Sequence, residues 1–315
     1  MTAISIMIEG QQGLNWTRWK RLATAVDELG FAGLFRSDHF TDPRPPDEDS
    51  LEMVVSLAYV ADHTGRVHFG PLVAPVSFRD PVMLARQAAA LDDLSGGRLI
   101  LGLGAGWQER EHRMFGYTLG NVPTRMARLE EGLEVVTRLL RDDKAQAFQG
   151  RFYQLEDGAW IRPKNSGSLR ILIGGTGPQR TLPLVARYAD VWNGTFLTPA
   201  AFEERSARLD ELLRVAGRQR ESVRRTLMHR VFFGRDEAEL ERRLAGHQDE
   251  GRPLNEVVDM LRSQRQAFIG TGEMIREQIA EYTAAGVEEL MLQWFDLDDI
   301  DGLRAFAEGV LPTRG

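Results

Sequence analysis

The chain has 315 residues, 43% of them hydrophobic, a formal net charge of -7 and no cysteine. That size suffices for one large core or two ordinary ones, while the missing cysteines remove disulfides, thiolate metal sites and cysteine nucleophiles, and an acidic balance without a basic block argues against a nucleic-acid partner. The start, MTAISIMIEGQQ, lacks a basic leader region and no stretch reaches the roughly 18 apolar residues of a membrane span, so a cytoplasmic chain with no membrane partner is expected.

In chain order, short apolar runs alternate with helical patterns. ISIMIEG opens the chain, and residues 16–29 come next with Trp16, Trp19, Leu22, Val26 and Leu29 at helical spacing. GFAGLFRSDH leads to an apolar helical stretch at 50–63, then come GRVHFGPLVAP, GGRLILGLGAG and a second clear helix at 124–140. SLRILIGGTG, YADVWNG, TLMHRVFFG and GVEELMLQW complete eight runs. Continuous rather than alternating apolar runs fit strands of a parallel sheet buried on both faces. Gly30, Gly65 and Gly286 fall where helices want a left-handed terminal residue. Strand and helix repeated eight times predict an α/β fold, a (β/α)8 TIM barrel, with a doubly wound open sheet as the alternative. Residues 143–168 read as an inserted hairpin and 251–270 as a second insertion; the absence of a linker predicts one domain over 1–315.

Active sites of such barrels lie at the C-terminal strand ends, which directs attention to the residues just after each run. Asp38 and His39 end the second run and could serve as a general acid/base or as an electrostatic partner of a bound ring. A metal site is disfavoured, because the other histidines do not gather near them. IGGTGPQRT, residues 173–181, is a glycine-rich loop entering a helix, able to hold a phosphate through backbone N–H groups and Arg180, although an ordinary strand-to-helix turn reads equally well. RLILGLGAGW fails the dinucleotide fingerprint, since Trp107 stands where its last glycine must be. Its glycines then suggest close approach to a flat ligand, with Trp107 a pocket wall or a core residue. Glu9, Gln11, Gln12, Glu111 and Trp294 join Trp107 as candidate substrate-pocket residues by strand-end position alone.

These pieces resemble the bacterial-luciferase-like superfamily of flavin and deazaflavin oxidoreductases, and within it the branch using coenzyme F420. The matching stretches include SDHF at 37–40, the block from FGPLVAP to REHRMFG at 69–116, FQGRFYQL at 148–155 and ILIGGTGPQRT at 171–181. The resemblance implies a luciferase-like barrel, His39 as the catalytic residue, and Asp38 and His39 against the ring. It also implies a non-proline cis peptide at Leu72–Val73, Ala74 and Gly106 at the ring, and Thr176, Gly177, Gln179 and Arg180 on the cofactor phosphate. It implies a small-molecule substrate and a homodimer. FMN is the alternative cofactor, which would make the protein a monooxygenase fed by a separate reductase. One position departs: sugar-phosphate dehydrogenases of the branch carry a catalytic Glu where this chain has Trp107, leaving Glu109 or Glu111 to supply an acid. A metal-dependent hydrolase built on Asp38 and His39, or a non-catalytic flavin binder, are the readings outside this chemistry.

Overall fold

The computed structural model describes residues 2–142, 146–161, 164, 169–245, 256 and 267–312. Each expected run is a strand. β1 (Ala3–Ile8) pairs in parallel with β2 (Gly33–Arg36) and with β12 (Glu289–Gln293). β3 (His68–Pro71) joins β2; β4 (Ala74–Pro75) joins β5 (Ile100–Gly104). β5 then continues through β8 (Arg170–Gly174), β9 (Val191–Thr195) and β10 (Arg224–Phe233) to β12. β3 and β4 belong to one barrel strand, interrupted at Leu72–Val73, whose peptide bond is cis. A parallel bridge between Phe69 and Leu99, with the Phe69 amide donating to the Arg98 carbonyl at 3.2 Å, draws the two sides of that seam together. The result is the (β/α)8 barrel. β11 (Ala267–Gly270) is an addition: it pairs with the last four residues of β10, starting at Arg230, where the pairing with β12 ends.

Helices pack outside the strands. α1 (Trp16–Leu29) starts at Asn15, whose side chain accepts from the Arg18 amide, and ends at Gly30 with φ 99. α2 (Met53–His63) ends differently: Thr64 is extended, and the Gly65 amide donates to Asp27 at 2.9 Å, so Gly65 is not the left-handed cap that its spacing suggested. α3 (Pro81–Leu94) is capped by Asp80, α4 (Glu109–Met114) is one short turn, and α5 (Val122–Arg141) is the helix read at 124–140. α6 (Thr181–Tyr188), α7 (Pro199–Val215), α8 (Glu237–Ala245), α9 (Gly272–Ala284) and α10 (Ile300–Val310) complete the series, and Gly286 beyond α9 is left-handed with φ 89.

The expected hairpin is present as β6 (Phe148–Gln149) antiparallel to β7 (Gln154–Leu155). Of the second insertion, residues 251–255 and 257–266 lie outside the described residues. Beside a small cluster of Phe232, Leu240, Leu244, Ala267 and Ile269 around α8 and β11, the core of the described residues has two layers. One lies between strands and helices; the other fills the barrel lumen with Met7, Phe35, Leu72, Ile100, Leu172, Val191 and Met291. Among the described residues no helix is long and apolar enough to cross a membrane.

Candidate active site

The C-terminal strand ends open into a cavity of about 540 Å³. Gly104 and Gly174 line it, and with Gly102 beneath they pack on a neighbouring strand. A Cβ at Gly102 would lie 2.1 Å from the Pro71 carbonyl oxygen, and one at Gly104 2.4 Å from Cγ2 of Val73. Gly174 on β8 faces the same valine at 3.1 Å. The glycines of RLILGLGAGW therefore make room first for β3, β4 and the Val73 side chain, and the expectation that they clear space for a ligand directly is corrected to that extent. Gly106, with φ 77, starts the next loop; a Cβ there would meet Ser77 Oγ at 2.4 Å. That hydroxyl bonds His112 Nε2 at 2.7 Å, and His112 Nδ1 bonds the Gln108 carbonyl at 2.7 Å, which fixes the loop carrying Trp107 and Glu111.

The Ser37–His39 segment is held from below by Arg36. This fully buried guanidinium donates to the carbonyls of Ser37 and Leu51 and to Ser56 Oγ, and burial pulls its pKa down to about 10 against the nearby Asp38 and Glu52 carboxylates. It lies against Gly10, where a Cβ would be 2.1 Å from Nη2. Asp38 is buried and its carboxylate is gripped by Arg79 in a two-point bond of 2.7 and 2.6 Å, with Glu52 also 2.8 Å from Arg79. Burial opposes the Arg79 charge, but Asp38 and Glu52 overcome it and hold its pKa above the ordinary value. Asp38 lines the cavity with its oxygens already committed, so it acts through the segment it anchors; Arg79, in SFRDP, was not singled out from sequence.

His39 is 19% exposed, and its Nδ1 is 3.1 Å from both oxygens of Glu111, which is 1% exposed. Glu111 also accepts from the Phe40 amide at 3.1 Å, and Gln108 Nε2 donates to the Thr41 carbonyl at 2.8 Å beside them. Burial works against a charged imidazole here, yet the hydrogen bond and charge of Glu111, with Glu9 and Asp38 behind, raise the His39 pKa above its ordinary value. With Nδ1 committed, Nε2 is the ring nitrogen left for a ligand. Trp107, 60% exposed, sits edge-on to His39 with centroids 5.4 Å apart, a rim residue rather than core.

The structure brings Glu9, Gln11, Gln12, Asp38, His39, Leu72, Val73, Gly106, Trp107 and Glu111 around one cavity. Ala74 does not line it; it is fully buried behind. Thr176, Gly177, Gln179 and Arg180 form a loop between Gly175 and Thr181, and those two do line the cavity. Among the described residues the amides of Gly177 and Gln179 have no acceptor, Gln179 and Arg180 are exposed, and Arg205 on α7 donates to the Thr176 carbonyl at 3.2 Å. Trp294 is corrected: strand alternation turns it outward, where Nε1 donates to the Asp296 carbonyl at 2.8 Å and the ring lies 5.8 Å from Phe306. Its neighbours Gln293 and Phe295 face the cavity instead, as do Arg230 and Phe196, all four missed because only inward-outward phase distinguishes them. Glu109 is exposed and off the cavity, and Glu111 is committed to His39, so neither takes the acid position that Trp107 leaves. Among the described residues no three His, Asp or Glu side chains gather as a metal site.

A carboxylate-held histidine in a cavity at the C-terminal end of a parallel barrel is the site of an enzyme. The chain belongs to the luciferase-like monooxygenase family, whose sequence model matches residues 2–289. It is similar to an F420-dependent glucose-6-phosphate dehydrogenase of Kineococcus radiotolerans, 29% identical over 69% of this chain; the match spans 64% of that protein, less than two thirds. A protein of the same name from Amycolatopsis mediterranei is 26% identical over 92% of both chains. An F420-dependent secondary alcohol dehydrogenase, solved with an F420–acetone adduct, shares the fold with TM-score 0.81 at 19% identity, covering 99% of each chain.

Proposed function

We propose that this protein is an F420-dependent oxidoreductase that moves a hydride between the deazaflavin and a small organic substrate. The observation that carries the reading is the cavity itself: a flat glycine and valine floor on one side, His39 with a free Nε2 on another, and a phosphate-competent loop at its edge. When bound, F420 supplies two-electron hydride chemistry at a ring carbon. Leu72, Val73 and Gly106 would support the ring. The open amides of Gly177 and Gln179, with Thr176 and Arg180, would take the phosphate, as loops at helix N-termini do. Glu111 fixes the His39 ring so that Nε2 holds or moves the proton that accompanies the hydride. Arg79 and Arg36 keep the Asp38–His39 turn in place, so the proton-transfer atom is set before substrate enters.

The substrate of the sugar-phosphate relatives is not carried over, because the resemblance implies a catalytic Glu at position 107 and this chain has Trp107 there. The monooxygenase reading, with FMN and an external reductase, is favoured by the family's own description. Titration of the full-length chain with F420 and with FMN, each oxidised and reduced, decides between them. Micromolar or tighter binding of F420 with weaker FMN binding is expected; the reverse order transfers the protein to the monooxygenase reading, and binding of neither overturns both. Arg180→Ala should weaken the cofactor that binds, and an unchanged dissociation constant would remove Arg180 from the site.

We also propose one domain and a homodimer through the face shared by α2 and α3, where Val55 is 57% and Met83 53% exposed. Sedimentation equilibrium should give twice the chain mass, with Val55→Glu shifting the chain to monomer; a monomeric wild type refutes this.

A further inference from the structure

The scheme above leaves the rim of the cavity without a task. Trp107 lines the cavity and is 60% exposed, so this indole is mostly bare. Its backbone is held on both sides. Gly106 packs against Ser77, and Gln108, 2% exposed, bonds the Thr41 carbonyl at 2.8 Å. The planes of Trp107 and His39 meet at 81°, and among the described residues no ring lies flat on the indole. An uncovered aromatic ring on a fixed backbone, beside the proton-transfer residue, has apolar area to bury and little ordering left to do.

The charges facing the cavity are unequal. His39 is paired with Glu111, and Asp38 with Arg79. Glu9, Asp42 and Arg230 remain without an ion pair among the described residues, two negative groups against one positive. The negative pair shares one donor: Gln11 Nε2 lies 3.1 Å from Glu9 and 3.3 Å from Asp42. Gln293 Nε2 donates to the other Glu9 oxygen, while its own Oε1 is buried without a partner, out of a ligand's reach. Arg110 donates to the Asp42 carbonyl at 2.9 Å and grips Asp47 in a two-point bond of 2.6 and 2.7 Å, which holds the chain at Asp42 in place. Burial, with the charges of Glu9 and Glu48, raises the Asp42 pKa above its ordinary value against the bonds from Gln11 and Gln12, as happens where negative charge is already in excess. The Arg230 guanidinium lies 4.9 Å over the ring of Phe196.

We infer that the substrate is an uncharged molecule with a flat conjugated group, which Trp107 selects for its shape and Asp42, with Glu9, for its lack of negative charge. Trp107 takes the flat face by offset stacking, a gain beyond the area it buries. An anion would come to rest beside two carboxylates already short of positive partners, and such like-charge juxtaposition is costly. Attraction by the indole and rejection by the carboxylates are the two halves of discrimination between molecules of similar size. This substrate class rests on the F420 reading above and deepens it.

The test loads the full-length chain with F420 and titrates three ketones by calorimetry: acetophenone, flat and uncharged; cyclohexyl methyl ketone, uncharged but not flat; and 4-acetylbenzoate, flat and anionic. Acetophenone should bind most tightly. Trp107→Ala should weaken it about three- to tenfold, the worth of an aromatic pair; Trp107→Phe should keep most of the affinity, and the cyclohexyl ketone should respond less. Asp42→Asn should tighten 4-acetylbenzoate several-fold and leave acetophenone as it was, a gain that a damaged fold would not produce. F420 affinity should be unchanged in all three variants, which also reports that they fold. Cyclohexyl methyl ketone or 4-acetylbenzoate binding wild type as tightly as acetophenone, no acetophenone binding at millimolar concentration, acetophenone affinity that survives Trp107→Ala, or no gain in Asp42→Asn each overturns the proposal. If wild type fails to bind F420, the proposed function falls, and the order of the three ketones is then read on the chain alone.

Discussion

His39 enters the cavity with one ring nitrogen already committed. Glu111 reaches it from α4, and the same carboxylate ties down the Phe40 amide, so the imidazole cannot swing without breaking two contacts. The raised His39 pKa means the folded protein holds that proton more tightly than the unfolded chain does. The resulting stability is fully present below the ordinary histidine pKa and is lost as pH rises through the raised one. Glu111→Gln should therefore cost stability chiefly at acid pH, with the difference from wild type narrowing as the solution is made alkaline. Thermal unfolding against pH checks this, and a gap constant across the range would refute it. The same variant should lower the His39 pKa read by proton NMR and shift the pH profile of turnover to lower pH, whereas a merely structural Glu111 would lower turnover at every pH alike. His39 was legible from its strand-end position. Its partner was not: Glu111 reads as a pocket residue or a possible acid, since nothing in QEREH, residues 108–112, shows that α4 turns this one carboxylate onto His39.

At the scale of the element, the seam between β3, β4 and β5 is built by glycine. The clash at Gly102 is with a backbone oxygen, and the clash at Gly104 is with the end of a side chain. The two should respond differently to alanine. Gly104→Ala should destabilise by about 1–3 kcal/mol, typical of overpacking, and Val73→Ala should recover much of that loss in the double variant. Gly102→Ala should destabilise at least as much and recover much less with Val73→Ala, because the nearest atom its Cβ meets is the Pro71 carbonyl oxygen at 2.1 Å, with Val73 Cγ1 only second at 3.1 Å. Urea unfolding of the four-membered cycle decides; additive effects at Gly104 and Val73 would refute the contact. The eight strands could be read from sequence because buried parallel strands are continuous apolar runs. The cavity face of each strand was harder to read. In a run apolar throughout, composition does not tell which phase points inward, and that is why Trp294 was assigned to the cavity while Gln293, Phe295 and Arg230 were not.

At the scale of the whole molecule, the barrel separates its two ends by chemistry. The N-terminal end is closed by a polar plug: Ser5 bonds Glu289, Arg224 lies 3.2 Å from the same carboxylate, and Arg170 Nη2 is 2.9 Å from His68 Nδ1. The C-terminal end is left open and carries the histidine, the arginine and the unpartnered amide. The lumen between them is mostly apolar, and the polar pair within it, Asn193 and Thr226, is satisfied by a mutual bond of 2.9 Å, so the open cavity lies at one end of the barrel.

The glycine floor under the cavity also bears on how such a protein can change over generations. A glycine codon altered at its first or second base gains a side chain or a stop, and at Gly102 any side chain begins with a Cβ that meets main chain. The rim is different: Trp107 projects into solvent, and the Arg230 guanidinium rests on the ring of Phe196 rather than on main chain. Drift is therefore steered to the rim, where a single substitution can retune which molecule is admitted while the bed beneath the ring stays as it is.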